Sequence, residues 1–569
     1  MYKSKMHTFK RMTLDTIPSR YPLMKEKLTP GPEPPSEATH VTSPTSKQRN
    51  WRVRIIAAVS IIALYILWLG NWPFWMSGGD HGIIKNQKSQ KLAWEVVDPA
   101  SPECLYDNLG LRDTFMGELR EMIDWPYPLN MYGATGRRSV MIQRILKIAT
   151  RLDSECRTFP AQSMTERVEH AIAQNYPFLH SLSATGAPTA WRKLKQRFQP
   201  DSRGIVITVD KTNFRYAVHL LSNLRNVIKT SLPIEVAYAG TDSIGSKQLE
   251  LLKEVNPDAE FLDILGVFED RFLNISGSAD AFWTLKPFAV LASKFEHVVG
   301  LDPDVVLLQQ PEKLLNSAGY TWRGISIFQD PFVGEEDRHD FLEWTRVQKK
   351  WEPYFADMDK PWKSDTSPLI DGGMVAIDKS RFPVLLGLLQ ACWLSMKEVR
   401  EQKMDRNNHW KEEVWMLGPE LTWTDYYMYP EYGMILSDDA ISKASGEHCG
   451  MKLGHVDDKG ALFWYGGGMP KIKGSKPTEL YVPTRAIDSD WWIKTIESDG
   501  SGVICANRTM SVENEKIDSA EASLLKQLSQ DAEQLDSRYE RYFDASGTST
   551  PTPSSSTGLG EKKTQAFVS

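Results

Sequence analysis

The chain has 569 residues, 41% hydrophobic and 25% charged, with a formal net charge of −6. That length exceeds one ordinary domain and allows a large catalytic core with appendages. The composition is that of a mostly globular protein, and no long basic stripe follows the first segment, which speaks against a nucleic-acid partner.

Residues 1–54 carry eleven Lys and Arg against four Asp and Glu, so the rest of the chain is acidic. Within them, TPGPEPPSEATHVTSPTS is rich in Pro, Ser and Thr and has no periodic apolar face, as a disordered tail reads. The next stretch, IIAAVSIIALYILWLGNWPFWMSGG, runs without a charge. A membrane helix needs about 20 largely apolar residues, and residues 55–76 supply them. Trp51, Trp68, Trp72 and Trp75 suit the interfacial belt, and Arg49, Arg52 and Arg54 place the N-terminus in the cytosol. A cleaved signal peptide fits less well, because the apolar core starts far into the chain and lacks a small-residue exit. The expectation is a single-pass type II anchor with everything beyond it lumenal. Cys104, Cys156, Cys392, Cys449 and Cys505 all follow the anchor, where disulfides persist. No C-x-x-C pair points to zinc. The odd count leaves one thiol over, and the pairing is not legible. Asn274 and Asn507 open N-x-[ST] sequons.

Residues 77–203 read as a stem and helical lumenal region; SVMIQRILKIATRL, residues 139–152, has an approximate apolar face. The pattern changes at Gly204. GIVITVD reads as a strand, NFRYAVHLLSNLRNVI as a helix and PIEVAYAG as a second strand. KQLELLKEV and AEFLDI continue the alternation. This order predicts a parallel α/β sheet of Rossmann-like kind, but neither a dinucleotide fingerprint nor a P-loop is present. A catalytic domain is expected over residues 204–484. Residues 485–569 form a C-terminal extension, with an amphipathic helix over 517–543 and a Ser/Thr/Pro-rich disordered tail.

Three D-x-D triplets occur: Asp302-Pro303-Asp304, Asp357-Met358-Asp359 and Asp488-Ser489-Asp490. The last two sit in polar, loop-like text. Only the first has apolar runs on both sides, in EHVVGLDPDVVLLQQ. Two carboxylates between buried strands repel each other unless a cation sits between them, and hard divalent cations share oxygen ligands with phosphates. In open α/β sheets ligands gather at the carboxyl ends of strands. The spacing alone fits equally well a capped turn bent at Pro303.

The surrounding text resembles the fungal α-mannosyltransferases of glycosyltransferase family 71. SADAFWTLKPFAVLASKFEHVVGLDPDVVLLQQPEKLL is similar to that family's KP-containing helix, apolar strand, L-D-x-D and second strand. DGGMVAIDKSR, KEEVWMLG and LGHVDDKGALFWYGGGM are similar to three further blocks, in the family's order, across residues 204–473. Here the central D-x-D residue is proline, Asp371-Gly372 stands where the family more often has a polar residue and Ser, and Tyr465-Gly466 replaces the common Phe-Asn. The resemblance implies a GT-A fold, GDP-mannose as donor and Mn²⁺ as cofactor. It further implies transfer with retention, in α-1,3 or α-1,2 linkage, to mannose-containing N- or O-glycan acceptors, and a Golgi location, with an enzyme complex as a partner. It implies Asp302, Asp304 and His455 as metal ligands, with Asp302 also near the ribose. Lys286 is expected on a phosphate. Asp371 and Glu412 are expected at the sugar as catalytic candidates; of the neighbours Glu412 and Glu413, one is expected to face the sugar and the other solvent. Trp464 is expected either on a sugar ring or in the core. The alternatives are a retaining transferase with another sugar nucleotide and a non-catalytic lectin or scaffold on the same fold.

Overall fold

The structure, a computed structural model, describes residues 132–155, 164–182, 189–275, 283–330, 332–333, 339–348, 369–403, 412–445, 448–471, 479–489, 492–495, 503–506 and 512–543. The expected anchor at 55–76, the Asp357 triplet and Asn507 lie outside them. Among the described residues no helix is long and apolar enough to cross a membrane.

Among the described residues, three α-helices precede the first strand: α1 (Tyr132–Glu155), α2 (Met164–Asn175) and α3 (Ala190–Arg197). The alternating unit follows as β1 (Gln199–Thr208), α4 (Phe214–Ser222), β2 (Ile234–Tyr238), α5 (Ser246–Val255) and β3 (Glu260–Asp263). Then come α6 (Leu285–Ala292), β4 (Phe295–Leu301), β5 (Val306–Leu307), β6 (Ile325–Asp330) and β7 (Phe332–Val333). They are followed by β8 (Leu369–Asp378), α7 (Phe382–Leu394), α8 (Val414–Leu421) and β9 (Tyr427–Tyr432). The main sheet has seven strands in the order β3-β2-β1-β4-β8-β6-β9. β1 to β4 run parallel, and β8 lies antiparallel between β4 and β6. The expected α/β fold is present, as a mixed sheet.

Both faces of this sheet are covered, which explains its nearly continuous apolar strands. Val206, Val298, Val375 and Ile377 pack on one side with α6, α7 and α8. Their strand neighbours Ile205, Ile207, Val299, Leu301, Met374 and Ala376 pack on the other with α4. The two-residue period of a strand sends neighbours to opposite faces. Helix α7 is apolar all round and buried from Val384 to Leu394, as a helix enclosed in a core must be.

The remaining strands are β10 (Met434–Ser437), β11 (Cys449–Gly450), β12 (Lys452–Val456), β13 (Leu462–Tyr465), β14 (Arg485–Ser489), β15 (Trp492–Thr495), β16 (Ile504–Ala506) and β17 (Val512–Lys516). A six-stranded sheet runs β17-β14-β10-β12-β13-β5, and a smaller one β11-β16-β15-β7. β14 and β17 thus knit residues beyond 484 into the same sheet as β5 and β13. Asp488 lies in β14, opposite Glu513, not in a loop, because pairing with β10 and β17 extends the backbone there. A disulfide joins Cys449 to Cys505, and Cys392 is buried and unpaired. Finally, α9 (Ser519–Phe543) crosses back over α4. Its Leu525, Leu528 and Ala532 pack on Val306, Tyr465 and Met469.

Candidate active site

The strand ends build the site. β4 stops at Leu301, and Asp302-Pro303-Asp304 turns the chain, with the Val305 N–H donating to the Asp302 carbonyl at 3.2 Å. β8 runs antiparallel to β4 with Leu301 opposite Met374, so the C-terminal end of β4 meets the N-terminal end of β8. The Asp302 N–H donates to the Gly373 carbonyl at 2.8 Å. Asp371 therefore comes beside the acidic turn although 67 residues separate it from Asp304. β5 pairs with β13 through Val306–Tyr465 and Leu307–Trp464, and the Gly468 N–H donates to the Asp304 carbonyl at 2.6 Å. That pairing carries the 466–468 glycine segment to the same place.

Between these segments lies a cavity of about 360 Å³, lined by Thr208, Lys286, Asp302, Asp304, Asp330, Asp371 and Glu412 among others. Its walls include the carboxyl ends of β1 and β4. Those strands flank the point where the sheet order reverses, the place where open α/β sheets bind ligands.

Lys286 is almost fully buried. Its Nζ pairs with Asp302 at 3.0 Å, donates to the Gly373 carbonyl at 3.2 Å and also donates to the Gly372 carbonyl. It ties the β4 end to the β8 start. Asp371 accepts from the Gly373 N–H at 2.7 Å and lies 2.9 Å from His455 Nε2. Glu412 accepts from the Gly372 N–H at 2.7 Å. Gly373 is needed here: a Cβ would lie 2.8 Å from the Trp464 ring and 2.9 Å from Asp371 Oδ1. Trp464 has 0% exposure and stacks on the His455 ring, centroids 4.4 Å apart. Of its two expected places it takes the core, where it fixes the plane of His455.

Of the neighbouring glutamates, Glu412 is the exposed one and Glu413 the buried one. At 2% exposure Glu413 is buried at the start of α8, because that helix packs into the core around Trp415 and Leu417. Asp457 accepts from the Lys459 and Ala461 N–H groups and so caps its own turn.

Crowding of carboxylates sets their protonation. Burial pushes the Asp302 carboxyl up to about 6, against the pull of Lys286 and with the push of Asp304. Burial, then repulsion from Asp371 and Glu412, raises Asp330 well above the usual carboxylate range. Desolvation of its carboxyl at the cavity wall, then Asp371 and Asp302, does the same to Glu412, although the residue as a whole is exposed. Burial also acts upward on Asp371, but the His455 hydrogen bond and charge, the Gly373 N–H and Lys286 outweigh it and hold it low. Asp371 is the anion of the group.

This donor set fits a hard divalent cation: carboxylate oxygens with one imidazole, in the oxygen-rich class that takes Mg, Ca and Mn. Among the described residues, Asp330, Asp371 and His455 form the acidic and imidazole group that converges within one ion's reach. Asp302 and Asp304 line the same cavity but are not in that group. Asp330 was not singled out in the sequence. The signal was there: ISIFQD is an apolar run ending in a carboxylate, like VVGLD.

Residues 202–457 match the family described as "Mannosyltransferase putative". The matched segment holds Lys286, Asp302, Asp304, Asp330, Asp371, Glu412 and His455; Trp464 and the 466–468 glycines lie just past it. An α-1,3-mannosyltransferase of Saccharomyces cerevisiae is 24% identical over 326 residues, covering 51% of this chain and 49% of its own. The chain spans about half the length of the curated relatives it matches. Among solved structures, the mannosyltransferase Ktr4p from S. cerevisiae is 9% identical with a TM-score of 0.26, over 39% of this chain and 70% of that one.

Proposed function

We propose that the protein is a type II Golgi membrane α-mannosyltransferase. It moves mannose from GDP-mannose to a mannosylated N- or O-glycan in α-1,3 or α-1,2 linkage, with retention. The observation that carries this reading is the carboxylate-lined cavity at the β1/β4 ends, inside a mannosyltransferase segment. Asp302, Asp304, Asp371 and His455 would hold Mn²⁺, which when bound would offset the charge that grows on the departing diphosphate.

The chain's own residues do the rest. Lys286 holds the acidic turn against β8 and supplies the buried positive charge beside it. Asp371, kept ionised, accepts hydrogen bonds from the donor sugar. Glu412 braces the Gly372 peptide. A retaining path in which the acceptor attacks on the leaving-group side requires no protein nucleophile. The test is incubation of the purified protein with GDP-mannose, Mn²⁺ and a panel of mannosides, followed by linkage analysis. New α-mannosidic bonds are expected. Transfer from a UDP-sugar instead would overturn the donor assignment.

A further inference from the structure

The cavity wall is laid out in strand order. Thr208 ends β1, Asp302 follows β4, Asp371 sits near the start of β8 and Asp330 ends β6, and these strands are neighbours in the order β1-β4-β8-β6. Adjacent strands lie about 4.8 Å apart, so the row from Thr208 to Asp330 spans about 14 Å. A nucleoside, a diphosphate and a sugar are joined in a row. If the diphosphate meets the β4 turn and the sugar meets Asp371, the next strand end faces whatever attacks that sugar.

Asp330 also differs from its neighbours in how its oxygens are used. Asp371 and Glu412 each hold a backbone N–H. Asp330 Oδ1 is buried and, among the described residues, accepts no hydrogen bond; His455 Nε2 stands 3.8 Å away. The side chain is 24% exposed and lines the cavity. Buried acceptors in native proteins are paired, and each exception calls for a reason. A sugar hydroxyl is a donor of the right kind.

Resting on the transferase reading above, we infer that Asp330 binds a hydroxyl of the acceptor sugar and so helps to choose the acceptor. It is a binding residue at the β6 end, one strand beyond the donor-sugar carboxylate. A hydrogen bond to an uncharged group is worth about 0.5–1.5 kcal/mol, or roughly twofold to tenfold in affinity.

The test uses the full chain with Asp330→Ala, which removes both carboxyl oxygens. Asp330→Ser serves if the first variant does not fold, judged by its melting curve. Expected are a KM for the mannoside acceptor at least threefold higher, with the KM for GDP-mannose and the affinity for GDP with Mn²⁺ within twofold of wild type. An unchanged acceptor KM would overturn the inference. So would a tenfold loss of Mn²⁺ affinity, which would make Asp330 a cation ligand. A wild-type protein that fails to bind GDP would instead remove the transferase reading itself.

Discussion

Replacing Lys286 by Met removes the cation that joins the two halves of the site. Lys286 pairs with Asp302 at 3.0 Å and donates to the Gly372 and Gly373 carbonyls. Breaking a fully buried ion pair costs about 3–5 kcal/mol. The Asp302 side chain is 33% exposed, so solvent screening reduces that to about 2 kcal/mol. A carbonyl left without its donor adds about 1–2 kcal/mol. The expected loss is therefore about 3–4 kcal/mol near pH 8, lowering the melting temperature by about 5 °C. The pH dependence identifies the cause. Burial holds the wild-type Asp302 carboxyl at about 6, above its unfolded value, so its charge destabilises the fold as pH rises through about 6. Without Lys286 that carboxyl rises further, and the loss on raising pH becomes larger. At pH 5 Asp302 is mostly neutral in both proteins, and the difference shrinks to the carbonyl term of about 1–2 kcal/mol. Melting curves of both proteins in chelator at pH 5 and pH 8 measure this. A difference equal at the two pH values, or larger in acid, refutes the ion-pair argument.

Trp464→Leu is expected to destabilise by about 2–4 kcal/mol, because the ring is fully buried, and to weaken Mn²⁺ binding about tenfold by freeing the His455 ring; calorimetry checks the affinity, and Trp464→Phe should restore most of it. Cys505→Ser opens the disulfide to Cys449, which closes a sequence separation of 56 residues. Loop entropy puts that loss at about 4 kcal/mol, and added reductant should destabilise wild type but leave the variant's melting curve in place. Asp536→Ala unpins α9 from α4, since Asp536 pairs with Arg215 and lies 2.8 Å from His219 Nε2, at a cost of about 2 kcal/mol. Burial pushes the Asp536 carboxyl up, but His219 and Arg215 outweigh it and hold it low. Its contribution is present above the unfolded carboxylate range and lost as pH falls through the depressed value, so denaturant curves of the two proteins should converge only in strong acid.

The α/β core was readable because each strand is a β-branched run and each intervening helix has its own apolar face. β1, α4, β2, α5 and β3 all fall on segments picked out by periodicity alone. The acidic turn at 302–304 was readable for the same reason, since charge between two buried strands stands out. What could not be read is pairing across long separations. Nothing local announces that β8 inserts antiparallel beside β4 and brings Asp371 to Asp302, or that β5 pairs with β13 and buries Trp464 on His455. Asp330 was passed over because one carboxylate at a strand end has no local partner to mark it. Lys286 looked ambiguous because a lysine on a short helix is usually solvated, and only the fold shows three acceptors around it. The C-terminal residues looked like an appendage because β14 and β17 are short and polar; their place in the six-stranded sheet depends on partners far upstream.

The central claim is that this cavity binds a nucleoside diphosphate through a divalent cation. Calorimetric titration of GDP into the purified protein tests it most directly, with Mn²⁺ and again with chelator, on wild type and Asp304→Ala. The account predicts saturable GDP binding in Mn²⁺, much weaker binding of UDP, and loss of the signal with chelator or with the substitution. GDP binding that is equally tight in chelator, or untouched by Asp304→Ala, would contradict it.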